Sequence, residues 1–129
     1  MSVQLYAMLT WTTHDRERLI DVDGAAFLSR FLRVTAKRHG AEVLAMGVVA
    51  DQLHLVLHLH QAVDVPRLVQ GLKGASARVG NRDGVFQKRK LRWAQGYDLR
   101  SISPGQLHRA IRYVQTQVRQ YSQCTVPAK

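Results

Sequence analysis

One short stretch of the sequence carries most of the side chains that could do chemistry. Residues 52–60 read QLHLVLHLH, so leucines alternate with a glutamine, a valine and histidines. Because strand side chains alternate between two faces, the polar residues are predicted to share one face and the leucines the other. Gln52 and His54 could then converge on one ion, and without a nearby thiolate the donors suit Mg²⁺ or Mn²⁺ better than a structural zinc. The same pattern is also typical of polar residues on a solvated sheet face.

A second candidate lies near the C-terminus. Tyr113 and Gln117 are four residues apart, so a helix would place them on the same face. That face lies about 100° away from an apolar stripe that runs from Leu107 to Tyr121. Tyr113 is therefore predicted to lie outside the core. The alternative is a tyrosine whose ring packs at the edge of the core, which is common.

Basic residues form a third group, between residues 67 and 92, where Asp83 is the only acidic residue. Lysine and arginine for phosphates, with aromatic rings for bases, are typical of a surface that binds single-stranded nucleic acid. The alternative is a solvated basic face with Trp93 in the core. The candidates for DNA contact are Arg67, Lys73, Arg78, Lys88, Arg89, Lys90, Arg92 and Trp93.

Composition agrees with a nucleic-acid partner. The net charge is +10, from 19 Lys and Arg against 9 Asp and Glu, which indicates a polyanionic partner. The single cysteine, Cys124, cannot form an internal disulfide, and this suits a reducing cytoplasm. No signal peptide is recognisable, and no apolar run approaches the ~18 residues of a membrane span. We expect a cytoplasmic protein with residues 1–129 as one domain.

These residues must be positioned by alternating strands and helices. The sequence predicts strands at residues 3–12, 41–49, 52–60 and 97–102, and a first helix over about residues 24–39 with Asp23 as its N-cap. Asp64 and Pro66 should open a second helix, and Ser103 and Pro104 a third. The order βαββαβ predicts an α+β, ferredoxin-like fold: a four-stranded antiparallel sheet with two helices on one face. The C-terminal, tyrosine-bearing helix is extra to this core and could lie near the open face or reach a partner.

Several stretches together resemble one protein family. Residues 51–57 (DQLHLVL) are similar to the D-H-U-H-L-U-U motif of the HUH single-tyrosine transposases, where U is apolar. This family includes the insertion-sequence-200-like enzymes and the transposases associated with repetitive extragenic palindromes. The resemblance extends, in order, to residues 9–16, 46–47, 68–78, 93–102 and 111–117. Each motif is weak alone, but their order and spacing are specific.

The resemblance implies a function. In this family a tyrosine attacks a phosphate of single-stranded DNA, forming a 5′-phosphotyrosine and releasing a 3′-hydroxyl. Tyr113 would be the nucleophile, and His54 and Gln117 would hold Mg²⁺ or Mn²⁺ on the phosphate. The implied partner is single-stranded or hairpin DNA, bound either by a monomer or by a homodimer that exchanges the C-terminal helix.

Gln52 departs from the family pattern, because it stands where the family has its first histidine. A carboxamide oxygen is a weaker ligand than imidazole for most transition ions, although hard ions accept it. The leading hypothesis is thus a DNA transposase with metal binding weakened, and with activity reduced or lost. Two other hypotheses remain: a nucleic-acid-binding module without catalysis, and a metal-binding regulatory domain that uses His54, His58 and His60.

Overall fold

Four strands and three α-helices follow one another in the predicted order. The computed structural model describes residues 4–124, with side chains to residue 116. The elements are β1 (Leu5–Thr12), α1 (Val22–Arg38), β2 (Ala41–Val49), β3 (Gln52–Leu59), α2 (Val65–Arg82), β4 (Asp98–Ile102) and α3 (Leu107–Cys124). Short 3₁₀ turns at His14–Arg16 and Pro104–Gln106 precede α1 and α3.

The sheet has the strand order β2-β3-β1-β4, and every pairing is antiparallel. β1 and β3 are therefore the inner strands, as the ferredoxin-like prediction requires. Their register places Thr10 opposite His54 and Thr12 opposite Gln52. The leucines of β3 are buried on the face covered by α1 and α2, in a core that also contains Leu28 and Leu72.

The N-cap hydrogen bonds of the helices confirm one predicted helix start and show that two others were predicted at the wrong residue. The Asp64 carboxylate accepts a hydrogen bond from the Arg67 backbone at the start of α2, as predicted. At α1 the prediction of Asp23 was wrong, because Asp21 Oδ1 accepts from the Gly24 N–H at 2.8 Å. Ser103 precedes the 3₁₀ turn and makes no side-chain cap, so α3 begins later than its Ser-Pro signal indicates.

The third helix covers the sheet face opposite α1 and α2. Val114 of α3 and Val56 of β3 are fully buried and belong to one hydrophobic cluster, which also contains Ala45 of β2. A bulge between Val43 and Ala45 shifts the phase of β2, so that Ala45 lies on the α3 face while Val43 faces the main core. The sheet face that the predicted βαββαβ core leaves uncovered is thus partly covered by α3.

Close packing around Phe86 requires glycine at two helix positions. A Cβ at Gly80 would lie 2.5 Å from Phe86 Cε2, and one at Gly24 would lie 2.6 Å from Cε1. The ring therefore joins the end of α2 to the start of α1. Gly71 likewise approaches His39, whereas a Cβ at Gly74 meets nothing within 4 Å, so close packing explains Gly71 but not Gly74.

Substitution of these glycines should have opposite effects. We expect Gly80→Ala to lower the free energy of unfolding by about 1–3 kcal/mol, because the new methyl overlaps the Phe86 ring. Gly74→Ala should raise it by up to about 1 kcal/mol through helix propensity alone. Urea denaturation measures both, and equal effects of the two substitutions would contradict this packing.

Candidate active site

His54 has one ring nitrogen held in place and the other without a partner. Its Nδ1 lies 3.0 Å from Thr10 Oγ1, across the β1–β3 pairing. Its Nε2 is buried and has no hydrogen-bond partner among the described residues. If Nδ1 carries the proton and donates to Thr10, then Nε2 keeps a free lone pair, as a metal ligand requires. The sequence pattern found His54 but missed Thr10, because strand register cannot be derived from alternation.

Electrostatics favour the neutral imidazole. Burial lowers the pKa of His54 below its usual value of 6.5, and the nearby positive charge of Arg16 lowers it further. A neutral ring at physiological pH is the form that coordinates cations. The local environment therefore favours the uncharged form of the His54 ring.

The other predicted residues of the site lie on β3 and α3. Gln52 is half-buried, two positions before His54 and on the same strand face. Tyr113 is 56% exposed, which agrees with its predicted position outside the apolar stripe of α3. The adjacent Val114 packs with Val56, two positions after His54 on the same face of β3. The side chain of Gln117 lies outside the described residues, although its backbone belongs to α3.

Two of the predicted DNA-contacting residues make internal contacts. Lys73 Nζ donates to the carbonyls of Ala94 and Gly96, at 2.7 and 2.8 Å. Burial lowers the pKa of this lysine. Trp93 Nε1 donates to Ser76 Oγ at 3.0 Å, and its ring packs edge-on against Trp11. Both side chains thus fix the connection that leads into β4.

The remaining basic candidates are at the surface. Arg67, Arg78, Lys88, Arg89, Lys90 and Arg92 are all exposed. Arg89 forms an ion pair with Glu17, which ties the loop after α2 to the turn after β1. The backbone of that loop is also fixed, since Asn81 bonds both the N–H and the carbonyl of Leu91. These cations remain candidates for phosphate contact: Arg67 and Arg78 on α2, and the other four on the ordered loop after it.

His58 and His60 lie apart from His54, toward the opposite end of β3. The His58 ring packs against Tyr6 with centroids 5.1 Å apart, and its Nδ1 is 3.8 Å from Glu42 Oε1. Among the described residues, no group of three or more His, Cys, Asp and Glu side chains could hold a metal ion. The hypothesis of a regulatory site formed by His54, His58 and His60 therefore receives no support from this geometry.

Comparison with known families decides the family of the chain. The family model described as "Transposase IS200 like" matches residues 1–117. The chain belongs to this family. The transposase TnpA of ISDra2, from Deinococcus radiodurans, is 37% identical over 75 residues, which make up 58% of this chain and 54% of that protein. This IS200-like chain thus spans about half the length of the curated relative.

Two solved structures resemble the chain, one in sequence and fold and one in fold alone. A crystal structure of a Deinococcus radiodurans R1 protein, given as a transposase, superposes with a TM-score of 0.73 at 27% identity, covering 91% of this chain and 93% of that one. A REP-associated tyrosine transposase bound to a REP hairpin gives a TM-score of 0.68 at 11% identity, covering 93% of this chain and 69% of that one. The second likeness shows the ferredoxin-like fold with its C-terminal helix.

The described part of this IS200-like transposase contains no helix that is long and apolar enough to cross a bilayer.

The depressed pKa of His54 makes stability depend on pH. The folded state binds a proton on this ring less readily than the unfolded chain does, so the free energy of unfolding should fall as pH drops below about 6.5. Urea denaturation at pH 7.5 and 5.5 measures this. His54→Asn should reduce the difference between the two values, and an unchanged difference would assign the pH dependence to other groups.

Proposed function

We propose that this IS200-like transposase cleaves and rejoins single-stranded DNA through a phosphotyrosine at Tyr113. The observation that carries the proposal is the packing of α3 on the β3 face that bears His54. Val114 lies beside Tyr113, and Val56 lies two positions from His54, so their shared cluster brings the tyrosine helix onto the histidine face. This packing supports the proposal because the reaction requires a nucleophile close to a metal ligand.

His54 fits a divalent metal ion. Its buried Nε2 has no partner within the described residues, and Thr10 holds the opposite nitrogen. Gln52 shares its strand face and offers a carbonyl oxygen, which hard ions such as Mg²⁺ or Mn²⁺ accept. We propose that His54, Gln52 and Gln117 hold the ion. When bound, such an ion polarises the phosphoryl oxygens and neutralises developing negative charge.

Tyr113 supplies the nucleophile for the proposed cleavage. Tyr113 Oη would form a bond to the phosphorus while the bond from phosphorus to the 3′-oxygen breaks. The phenolic proton leaves to solvent, and the released 3′-oxygen takes a proton from solvent to become a hydroxyl, which can reverse the reaction. The exposure of Tyr113 supports this role, because a single strand must reach its hydroxyl.

Single-stranded or hairpin DNA is the proposed substrate. The net charge of +10 and the exposed DNA-contact candidates suit a polyanion. They are Arg67, Arg78, Lys88, Arg89, Lys90 and Arg92. The structural relative bound to a REP hairpin supports a substrate with a duplex stem. We further propose that residues 1–129 act as one nuclease domain, either as a monomer or as a homodimer that exchanges α3.

A DNA-binding protein without catalysis is the second candidate. Gln52 favours it, because a neutral amide replaces the family's first histidine and binds transition ions less strongly. This candidate keeps the fold, the basic surface and the salt-dependent affinity for DNA, but it needs neither metal nor Tyr113.

Covalent capture separates the two candidates. Single-stranded oligonucleotides with a hairpin, incubated with Mn²⁺, should yield a protein–DNA adduct that survives denaturing electrophoresis. Tyr113→Phe should abolish the adduct, because the nucleophilic oxygen is gone, while DNA affinity stays within about twofold. Tyr97→Phe is the matched control, since that tyrosine is also exposed. An adduct that persists in Tyr113→Phe, or that never forms, would refute the proposal.

Restoring the family's histidine should strengthen the site. We expect Gln52→His to bind Mn²⁺ about tenfold or more tightly and to cleave faster, because imidazole is the stronger donor. His58→Gln serves as the control, since that ring packs on Tyr6 instead. Isothermal titration with Mn²⁺ and single-turnover cleavage measure both effects. Unchanged affinity and rate would show that Gln52 does not occupy a ligand position.

A further inference from the structure

The turn after β1 has an unusual backbone. Asp15 and Arg16 have φ values of +54° and +55°, and neither is glycine. Side chains with a Cβ rarely adopt this left-handed conformation, and two consecutive examples are costly. Such a turn persists only when its surroundings hold it in place.

Hydrogen bonds around Thr13 hold this turn. Thr13 is fully buried; its hydroxyl donates to the Glu17 carbonyl, and its backbone N–H donates to Asp51 O at 2.9 Å. Its own carbonyl accepts from the Arg16 N–H at 3.0 Å, while the His14 N–H donates to Arg92 O at 2.9 Å. The turn is thereby fixed to the β2–β3 hairpin, from which Gln52 and His54 begin β3.

The consequence is a fixed position for the Arg16 side chain. Arg16 Nε donates to Asp51 Oδ2 at 3.1 Å, and Asp51 immediately precedes Gln52. The side chain is nevertheless 56% exposed. Because Nε donates to the Asp51 carboxylate, the two Nη groups are the ones that can bind a ligand. The charge also lies near enough to His54 to lower the pKa of that ring.

We propose that Arg16, anchored by Asp51, is a binding site for one phosphodiester group of the DNA strand beside Gln52 and His54. Guanidinium groups bind phosphate oxygens through paired, charge-assisted hydrogen bonds, and an anchored side chain loses little entropy on binding. This inference rests on the proposed function, since it takes single-stranded DNA to be the ligand.

The site would offset the weakness of Gln52. An amide in place of a histidine gives the ion a poorer ligand and leaves the negative phosphate less strongly held. A fixed guanidinium next to that position supplies positive charge that does not depend on how tightly the ion is bound. The family resemblance covers Arg16 within residues 9–16 but gives it no role, because the position of its side chain depends on the left-handed turn.

The test compares Arg16→Asn with Arg82→Asn in DNA binding. Asparagine tolerates the left-handed backbone, so the turn should survive the loss of the guanidinium. Arg82 is the matched control, since its Nε contacts Asp83 Oδ1 at 2.9 Å and its side chain is 63% exposed. Each variant is titrated by fluorescence anisotropy with a hairpin-bearing single strand, and with copies that carry one neutral methylphosphonate at successive positions.

We expect Arg16→Asn to weaken binding about tenfold. That loss should disappear when the methylphosphonate occupies one particular position, because the contacted charge is then already absent. Arg82→Asn should show no such position. Arg16→Lys should retain part of the affinity, since it keeps the charge but not the paired donors.

A loss in Arg16→Asn that is the same at every methylphosphonate position, or no greater than in Arg82→Asn, would overturn the proposal and leave Arg16 a structural ion pair. Thermal unfolding of each variant checks the fold, and Arg16→Lys decides the question if Arg16→Asn is unfolded. Adduct formation by the unsubstituted protein is measured in parallel. Because the binding titrations need no cleavage, failure of the proposed catalysis is distinguishable from failure of this site.

Discussion

Burial of β3 on both faces is the constraint on which the candidate site depends. Its leucines pack under α1 and α2, and Val56 packs under α3. A shift of the strand by one residue would turn the leucines outward and the histidines into the core, so the register is strongly determined. His54 therefore has a fixed depth and direction, and Thr10 on β1 fixes the rotation of its ring.

The loops at one end of the sheet are held in place by contacts near the start of β3. The β2–β3 hairpin supplies Asp51, whose carbonyl accepts from Thr13 and whose carboxylate pairs with Arg16. On the other side, Lys73 and Trp93 secure the connection into β4, which pairs with β1 at Thr10 and Asp98. Loops that converge on a rigid strand end are a common arrangement for binding and catalysis.

Local patterns in the sequence predicted much of this arrangement. Alternation identified β3 and its two faces, the Asp64–Pro66 pair marked the start of α2, and the element order indicated the ferredoxin-like fold. The family resemblance named the fold and family that the comparisons support. These features depend on neighbouring residues or on motif order, so they can be found without coordinates.

Other features depend on contacts between distant segments. The sequence predicted Asp23 as the cap of α1, and only the structure shows that the carboxylate of Asp21 accepts the capping hydrogen bond from Gly24. The sequence predicted Lys73 as one of several DNA-contacting cations, whereas in the structure its ammonium group donates to the carbonyls of Ala94 and Gly96. The left-handed turn at Arg16 has no glycine to mark it. Such features require the tertiary structure, because register, loop closure and packing determine them.

The central claim is that His54 and Tyr113 serve one metal-assisted site. It is tested most directly by a crystal structure of the Tyr113→Phe variant with Mn²⁺ and a hairpin-bearing single strand, with the ion located by anomalous scattering. The account predicts manganese bonded to His54 Nε2 and to the side-chain oxygens of Gln52 and Gln117, with a DNA phosphate between the ion and residue 113. Manganese at His58 and His60, or bound DNA without an ion at His54, would contradict it.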